Sequence, residues 1–121
     1  MRSEKKRGDP MEMSVKKEEN VTVVAIKGRM DAVTAPEFEK SLSDLVLKGE
    51  TLFLLNLSGL DYISSAGLRS FLASAKQLKG KEGKIFFTGL YGPVEEVFKI
   101  SGFHSIFKIF DSEEAALKEM E

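Results

Sequence analysis

Residues 51–57 read Thr-Leu-Phe-Leu-Leu-Asn-Leu, apolar at nearly every position. A strand with one wet face alternates polar and apolar side chains, and this run does not alternate. It has the pattern of a strand buried on both faces, which places it centrally in a sheet and parallel to a neighbour. Few architectures hold such a strand, and the flanking segments narrow them further.

Upstream, residues 12–18 and 20–27 read as strands, the second rich in β-branched side chains. Glu19-Asn20 suits a hairpin turn between them, and Gly28 closes the second strand. Met30 and Asp31, following Gly28-Arg29, read as loop. Thr34-Ala35-Pro36-Glu37 is a helix start: Thr34 is placed to cap, Glu37 stands where a capping box needs it, and Pro36 falls in the first turn. The spacing of Phe38, Leu42, Leu45 and Val46 predicts a helix over 34–48, with Gly49 as its C-cap.

Downstream, 64–79 is a second helix with Leu68, Phe71, Leu72, Ala75 and Leu78 as its buried stripe. Residues 84–88 form a strand. Pro93 begins a shorter helix, with Val94, Val97 and Phe98 inward and Gly102 as its stop. Residues 106–110 form a last strand, and Asp111 with Glu114 caps a terminal helix carrying Ala115 and Met120. The order β-β-α-β-α-β-α-β-α predicts an α/β fold: a mixed, mostly parallel sheet of about five strands with about four helices and right-handed crossovers.

The chain has 121 residues, 42% of them hydrophobic, enough for one domain with a single core. It has no cysteine, so disulfides and thiol chemistry are absent. No apolar run is long enough to span a bilayer, and the N-terminus lacks a signal-peptide core; a cytoplasmic protein without a membrane association is the expectation. Net charge is −1. The first ten residues, with four Lys/Arg and two acids, are more basic than the rest and have little to bury. Residues 1–11 are therefore expected to be a flexible arm, and 12–121 the domain. The body continues no basic stripe, so direct nucleic-acid binding is not expected.

Chemical machinery is sparse. The single histidine, His104, has no visible partner to make it a general base. No cluster has metal-ligand spacing, and no cofactor is expected. Gly80-Lys81-Glu82-Gly83-Lys84 resembles a phosphate loop only superficially: its glycine spacing is wrong, and it leads from a helix into a strand. Neither Ser64 nor Ser65 sits in a Gly-x-Ser-x-Gly elbow.

The serine pair Ser64-Ser65 nevertheless lies at a strand-to-helix junction, followed by Ala66 and Gly67. One serine suffices as a helix cap, a contribution of about 1 kcal/mol. The small Ala66 and Gly67 suggest room for another molecule to approach the backbone.

Asp61-Tyr62-Ile63-Ser64-Ser65-Ala66-Gly67-Leu68, the preceding buried strand and the earlier Gly28-Arg29-Met30-Asp31 resemble the STAS domain of bacterial anti-sigma factor antagonists. Phe98-x-x-Ser101-Gly102 fits as well, and the similarity runs from about Met13 to the end. The resemblance implies a non-enzymatic binding module. In that family the unphosphorylated antagonist binds an anti-sigma factor, itself a serine protein kinase, and frees a sigma factor. The kinase phosphorylates a serine at the start of the second helix, and a phosphoserine phosphatase resets the cycle. The family pattern is commonly Asp-Ser-Ser/Thr-Gly-Leu. Aligned on Gly67-Leu68, the phosphorylated serine falls on Ser65, with Ser64 at the acidic position as a rival acceptor and Ala66 at the next hydroxyl. Position in the element order groups Asp31, Asp61, Tyr62, Ser64, Ser65 and Arg69 as the expected partner face, with Ser70 on the exposed side of the helix, and the free chain is expected to be a monomer. Two alternatives stay open: a stand-alone STAS regulator of another signalling or transporter assembly without a kinase switch, and a phosphoester hydrolase with a serine nucleophile.

Overall fold

A computed structural model of the chain describes residues 11–120. The expected arm lies outside the described residues except for Met11, which is buried and opens the first strand. The elements are β1 (Met11–Glu18), β2 (Val21–Met30), α1 (Ala35–Leu47), β3 (Leu52–Ile63), α2 (Ser65–Lys79), β4 (Lys84–Thr88), α3 (Gly92–Ile100), a 3-10 turn (Phe103–Ser105), β5 (Lys108–Phe110) and α4 (Glu113–Met120).

The sheet order is β1-β2-β3-β4-β5, identical to the order along the chain. β1 and β2 form an antiparallel hairpin through Glu19-Asn20, and β2, β3, β4 and β5 are parallel. The apolar run is the middle strand, as its composition requires. Because strand order never reverses, crossovers of one hand must place their helices on one face of the sheet. Phe38, Leu42 and Val46 of α1, Phe71 and Leu78 of α2, and Val94 and Phe98 of α3 accordingly share one core with Phe53, Leu55, Leu57 and Phe87. The opposite face has only α4, whose Ala116 and Met120 close a second, smaller cluster with Val21, Val23, Leu54 and Phe86.

A relay of edge-on phenylalanine rings ties the main core together. Phe38 meets Phe71 at 5.3 Å, Phe71 meets Phe87 at 5.1 Å, and Phe98 joins Phe87 at 5.6 Å and Phe103 at 5.2 Å. Each such pair contributes about 0.5–1.5 kcal/mol beyond its buried area. On the other face, Glu113 pins α4 to the sheet: it accepts from Asn56 Nδ2 at 2.7 Å and pairs with Lys16 Nζ at 3.2 Å.

Several local expectations are corrected. β2 does not close at Gly28, which takes φ +96 inside the strand next to a register shift against β3; Met30 is a fully buried strand residue. β3 runs on through Ser58-Gly59 to Ile63. Thr34 precedes α1 but makes no side-chain cap; its hydroxyl serves the loop before it. Gly49 does sit just past α1 at φ +104. In α2 the buried face is Gly67, Ser70, Phe71, Ser74 and Leu78, so Leu72 is exposed and Ser70 is buried. Residues Ile106 and Phe107 precede the last strand, and Ile106 is exposed. In α4 the buried alanine is Ala116, not Ala115, and Ser112 caps by accepting from Ala115 N at 3.1 Å.

Candidate functional site

Parallel strands end together. The segments after β2 (Asp31–Thr34), after β3 (Ser64) and after β4 (Gly89–Tyr91) therefore converge at the carboxyl end of the sheet, where α/β proteins gather functional groups.

The Asp31 loop is built by its own hydrogen bonds. Asp31 Oδ1 accepts from Val33 N at 3.0 Å and Thr34 N at 3.1 Å. Asp31 N donates to Thr34 Oγ1 at 2.9 Å, and that hydroxyl donates to Arg29 O at 2.8 Å. The Thr34 N–H holds the Asp31 carboxyl below its ordinary range, with Val33 N–H, the Thr34 hydroxyl and Arg29 adding to it against a desolvation cost. Arg29 Nε lies 3.5 Å from Asp31 Oδ2, and the guanidinium stacks 4.3 Å over the Tyr62 ring. Register explains the stack, since Arg29 and Tyr62 are partners across β2 and β3.

Ser64 joins this loop to α2. Its extended backbone (φ −101, ψ 177) takes it out of the strand, and its N–H donates to Met30 O at 2.9 Å. Its Oγ accepts from Gly67 N at 3.4 Å, a long cap bond, and its carbonyl receives Leu68 N at 3.0 Å. Ser65 is the first residue of α2, is exposed, and its hydroxyl has no partner among the described residues. The two serines thus differ: one carries the helix start, the other faces solvent.

Gly67 does not leave room for a ligand. A Cβ there would lie 2.7 Å from Ile63 Cγ1 and 3.0 Å from both Met30 Cβ and Met30 O. Its role is close packing of α2 on the ends of β2 and β3, and Ala66 is half-buried. This corrects the expectation of an open approach to the backbone.

Of the expected face, the fold brings Asp31 and Tyr62 together through Arg29, and joins Ser64 to them through Met30. Asp61 turns elsewhere and accepts from Tyr91 Oη at 3.4 Å. Arg69 is exposed one turn beyond Ser65 and has no ion pair among the described residues. Ser70 leaves the face altogether, donating to Glu39 Oε2 at 2.6 Å between α2 and α1. Tyr91, bonded to Asp61, and Leu72 of α2 are exposed, which was not foreseen for either. Tyr91 had a signal, its place before the Gly92-Pro93 helix start after a parallel strand; Leu72 had none, because a leucine in a helix stripe reads as core.

His104 lies in the turn that leads into β5, at the amino end of the strands and away from the serines. Among the described residues no group of three or more His, Asp or Glu is arranged to hold a metal, and no helix is long and apolar enough to cross a membrane.

A mixed sheet of four parallel strands and one antiparallel edge strand, with three helices on one face and α4 on the other, presents an exposed serine at its carboxyl end: this is an α/β domain with its candidate site at the strand ends. The chain belongs to the STAS domain family, whose model matches residues 12–116. It is 42% identical over 106 residues to BtrV of Bordetella bronchiseptica, provisionally named an anti-sigma factor antagonist, covering 88% of this chain and 91% of that protein. It is 25% identical over 91 residues to the anti-sigma-B factor antagonist of Staphylococcus aureus, covering 75% and 84% of the two. The crystal structure of an anti-sigma factor antagonist from Mycobacterium paratuberculosis superposes with a TM-score of 0.83 at 25% identity, over 93% of this chain and 96% of that one.

Proposed function

We propose that this chain is an anti-sigma factor antagonist, that it binds an anti-sigma factor with serine kinase activity, and that phosphorylation of Ser65 switches the binding off. The observation that carries the reading is the 42% identity to a protein bearing that name over nine-tenths of its length. Ser65 is favoured over Ser64 because it is exposed with a free hydroxyl, whereas Ser64 is half-buried and occupied as the cap. Asp31, Asp61, Tyr62, Arg69 and the two serines form the partner face, with Tyr91 and Leu72 at its margins. A phosphatase acting on phosphoserine resets the cycle.

A phosphate adds about −1.5 to −2 charges. Ser65 is exposed, so the group is solvated and the fold is undisturbed. In the complex the same group is buried against the partner, and an unmatched buried charge costs several kcal/mol. A loss of ~3 kcal/mol is a factor of roughly a hundred in affinity, a switch without a change of fold.

The test is a pull-down from host lysate with wild type and Ser65→Asp as parallel baits, followed by phosphorylation of wild type, Ser65→Ala and Ser64→Ala by the captured kinase. The expected result is a kinase held by wild type and lost with a folded Ser65→Asp chain, and one phosphate that disappears only in Ser65→Ala. Equal capture, an unfolded Ser65→Asp protein, or phosphate lost only in Ser64→Ala refutes the corresponding part.

A further inference from the structure

Ser65 and Arg69 stand four residues apart on the exposed side of α2, the spacing at which helical side chains meet. The charges around them are unevenly committed. Arg29, on the neighbouring strand, is engaged by Asp31 and by the Tyr62 ring. Asp31 and Asp61 contribute negative charge at this end of the sheet, and Tyr91 reaches Asp61. Glu39 of α1 is taken by Ser70. The first turn of α2 has no acidic residue. Arg69 alone among these groups has neither a hydrogen bond nor an ion pair through its side chain among the described residues.

We infer that Arg69 is the intramolecular counter-ion of a phosphate on Ser65, closing a charge-assisted pair along one turn of α2 once the serine is modified. The inference rests on the proposed reading of Ser65 as the acceptor. The pair has a second effect on the switch: phosphorylation adds an anion to the partner face and at the same time withdraws the cation that the unmodified face offers. A guanidinium also suits the task geometrically, since its fork binds two phosphate oxygens at once.

The test needs no kinase. Phosphoserine is placed at position 65 during synthesis, and the phosphate is titrated by phosphorus NMR in wild type, Arg69→Gln and Arg29→Gln backgrounds, with circular dichroism to verify folding. A solvent-exposed cation about one helical turn away favours the dianion and lowers the second phosphate pKa by roughly half a unit. The expected result is that shift in wild type and in Arg29→Gln, its loss in Arg69→Gln, and its shrinkage in molar salt. Equal titrations in wild type and Arg69→Gln overturn the inference, as does a shift removed by Arg29→Gln instead. Failure of a kinase to modify Ser65 would be a separate result, bearing on the acceptor and leaving this titration standing.

Discussion

Replacing Gly67 with alanine tests how tightly α2 is seated. The added Cβ would meet three neighbours at 2.7, 3.0 and 3.0 Å, namely Ile63 Cγ1, Met30 Cβ and Met30 O. Two belong to buried side chains and the third to the backbone that also receives Ser64 N–H, so none is a flexible tip that can swing aside. Overpacking of this kind costs about 1–3 kcal/mol. Alanine recovers about 0.8–1 kcal/mol of that through helix propensity. The net loss is about 1 kcal/mol, or roughly 4 °C in melting temperature for a domain of this size. Gly80, at the other end of the same helix, supplies the control. Its backbone is helical (φ −67, ψ −16) and a Cβ would touch only Gln77 O at 3.5 Å. Gly80→Ala should therefore stabilise by about 0.4–1 kcal/mol. Urea titration of both variants checks the pair. If Gly67→Ala stabilises as Gly80→Ala does, α2 is not packed against β2 and β3 as closely as described.

Thr34→Val keeps the shape of a buried side chain but leaves Arg29 O and Asp31 N without their partner, so a loss of about 1–3 kcal/mol is expected in chemical denaturation. Ser64→Ala should cost only about 0.5 kcal/mol, at the low end for a cap, because the bond it removes is 3.4 Å long. Asp31 has its folded pKa below the ordinary 3.8, so its contribution is present above about pH 4 and is lost as pH falls through the folded value. Asp31→Asn keeps an acceptor for Val33 and Thr34 N–H but cannot titrate; its stability should fall less steeply with acid than wild type below about pH 4. Glu113→Ala removes the pin to Asn56 and Lys16, and faster amide exchange confined to α4 is the expected outcome.

Much of the architecture was legible because it follows from patterning. The run 51–57 has the pattern of a strand covered on both faces, and the strand that holds it is the central one. Its extension to Ile63 was not in the pattern, because the apolar run stops at Leu57 and Ser58-Gly59 interrupts it. The structure uses Gly59 inside the strand, where a Cβ would run into the Lys27 side chain of β2 at 2.6 Å. The face of α2 was misread for a physical reason of a different kind. Beside the Phe38–Phe71 contact, α2 meets α1 through small and polar residues, with Ser70 bonded to Glu39 and Gln77 to Ser43, so the buried stripe is rotated away from Leu72. Hydrophobicity identifies large core residues, and it is blind to a close approach made possible by serine and glycine. The Thr34 cap failed similarly: a local sequence match cannot anticipate that the hydroxyl is claimed by the Arg29 carbonyl of the preceding strand.

The identity of strand order and chain order has a consequence for how the molecule assembles. Each strand pairs with its sequence neighbour, so the sheet can grow outward from the β1–β2 hairpin as the chain emerges from the ribosome, every new strand meeting an edge already formed. Loop closure is short at each step, which favours rapid folding. α4 breaks the pattern. It follows β5 and must return across the sheet to Val21, Val23 and Lys16 of the first two strands. Until it docks, the apolar face of β2, β3 and β4 beneath it stays wet, so a nascent chain is exposed to aggregation in the interval between the emergence of β4 and the release of α4.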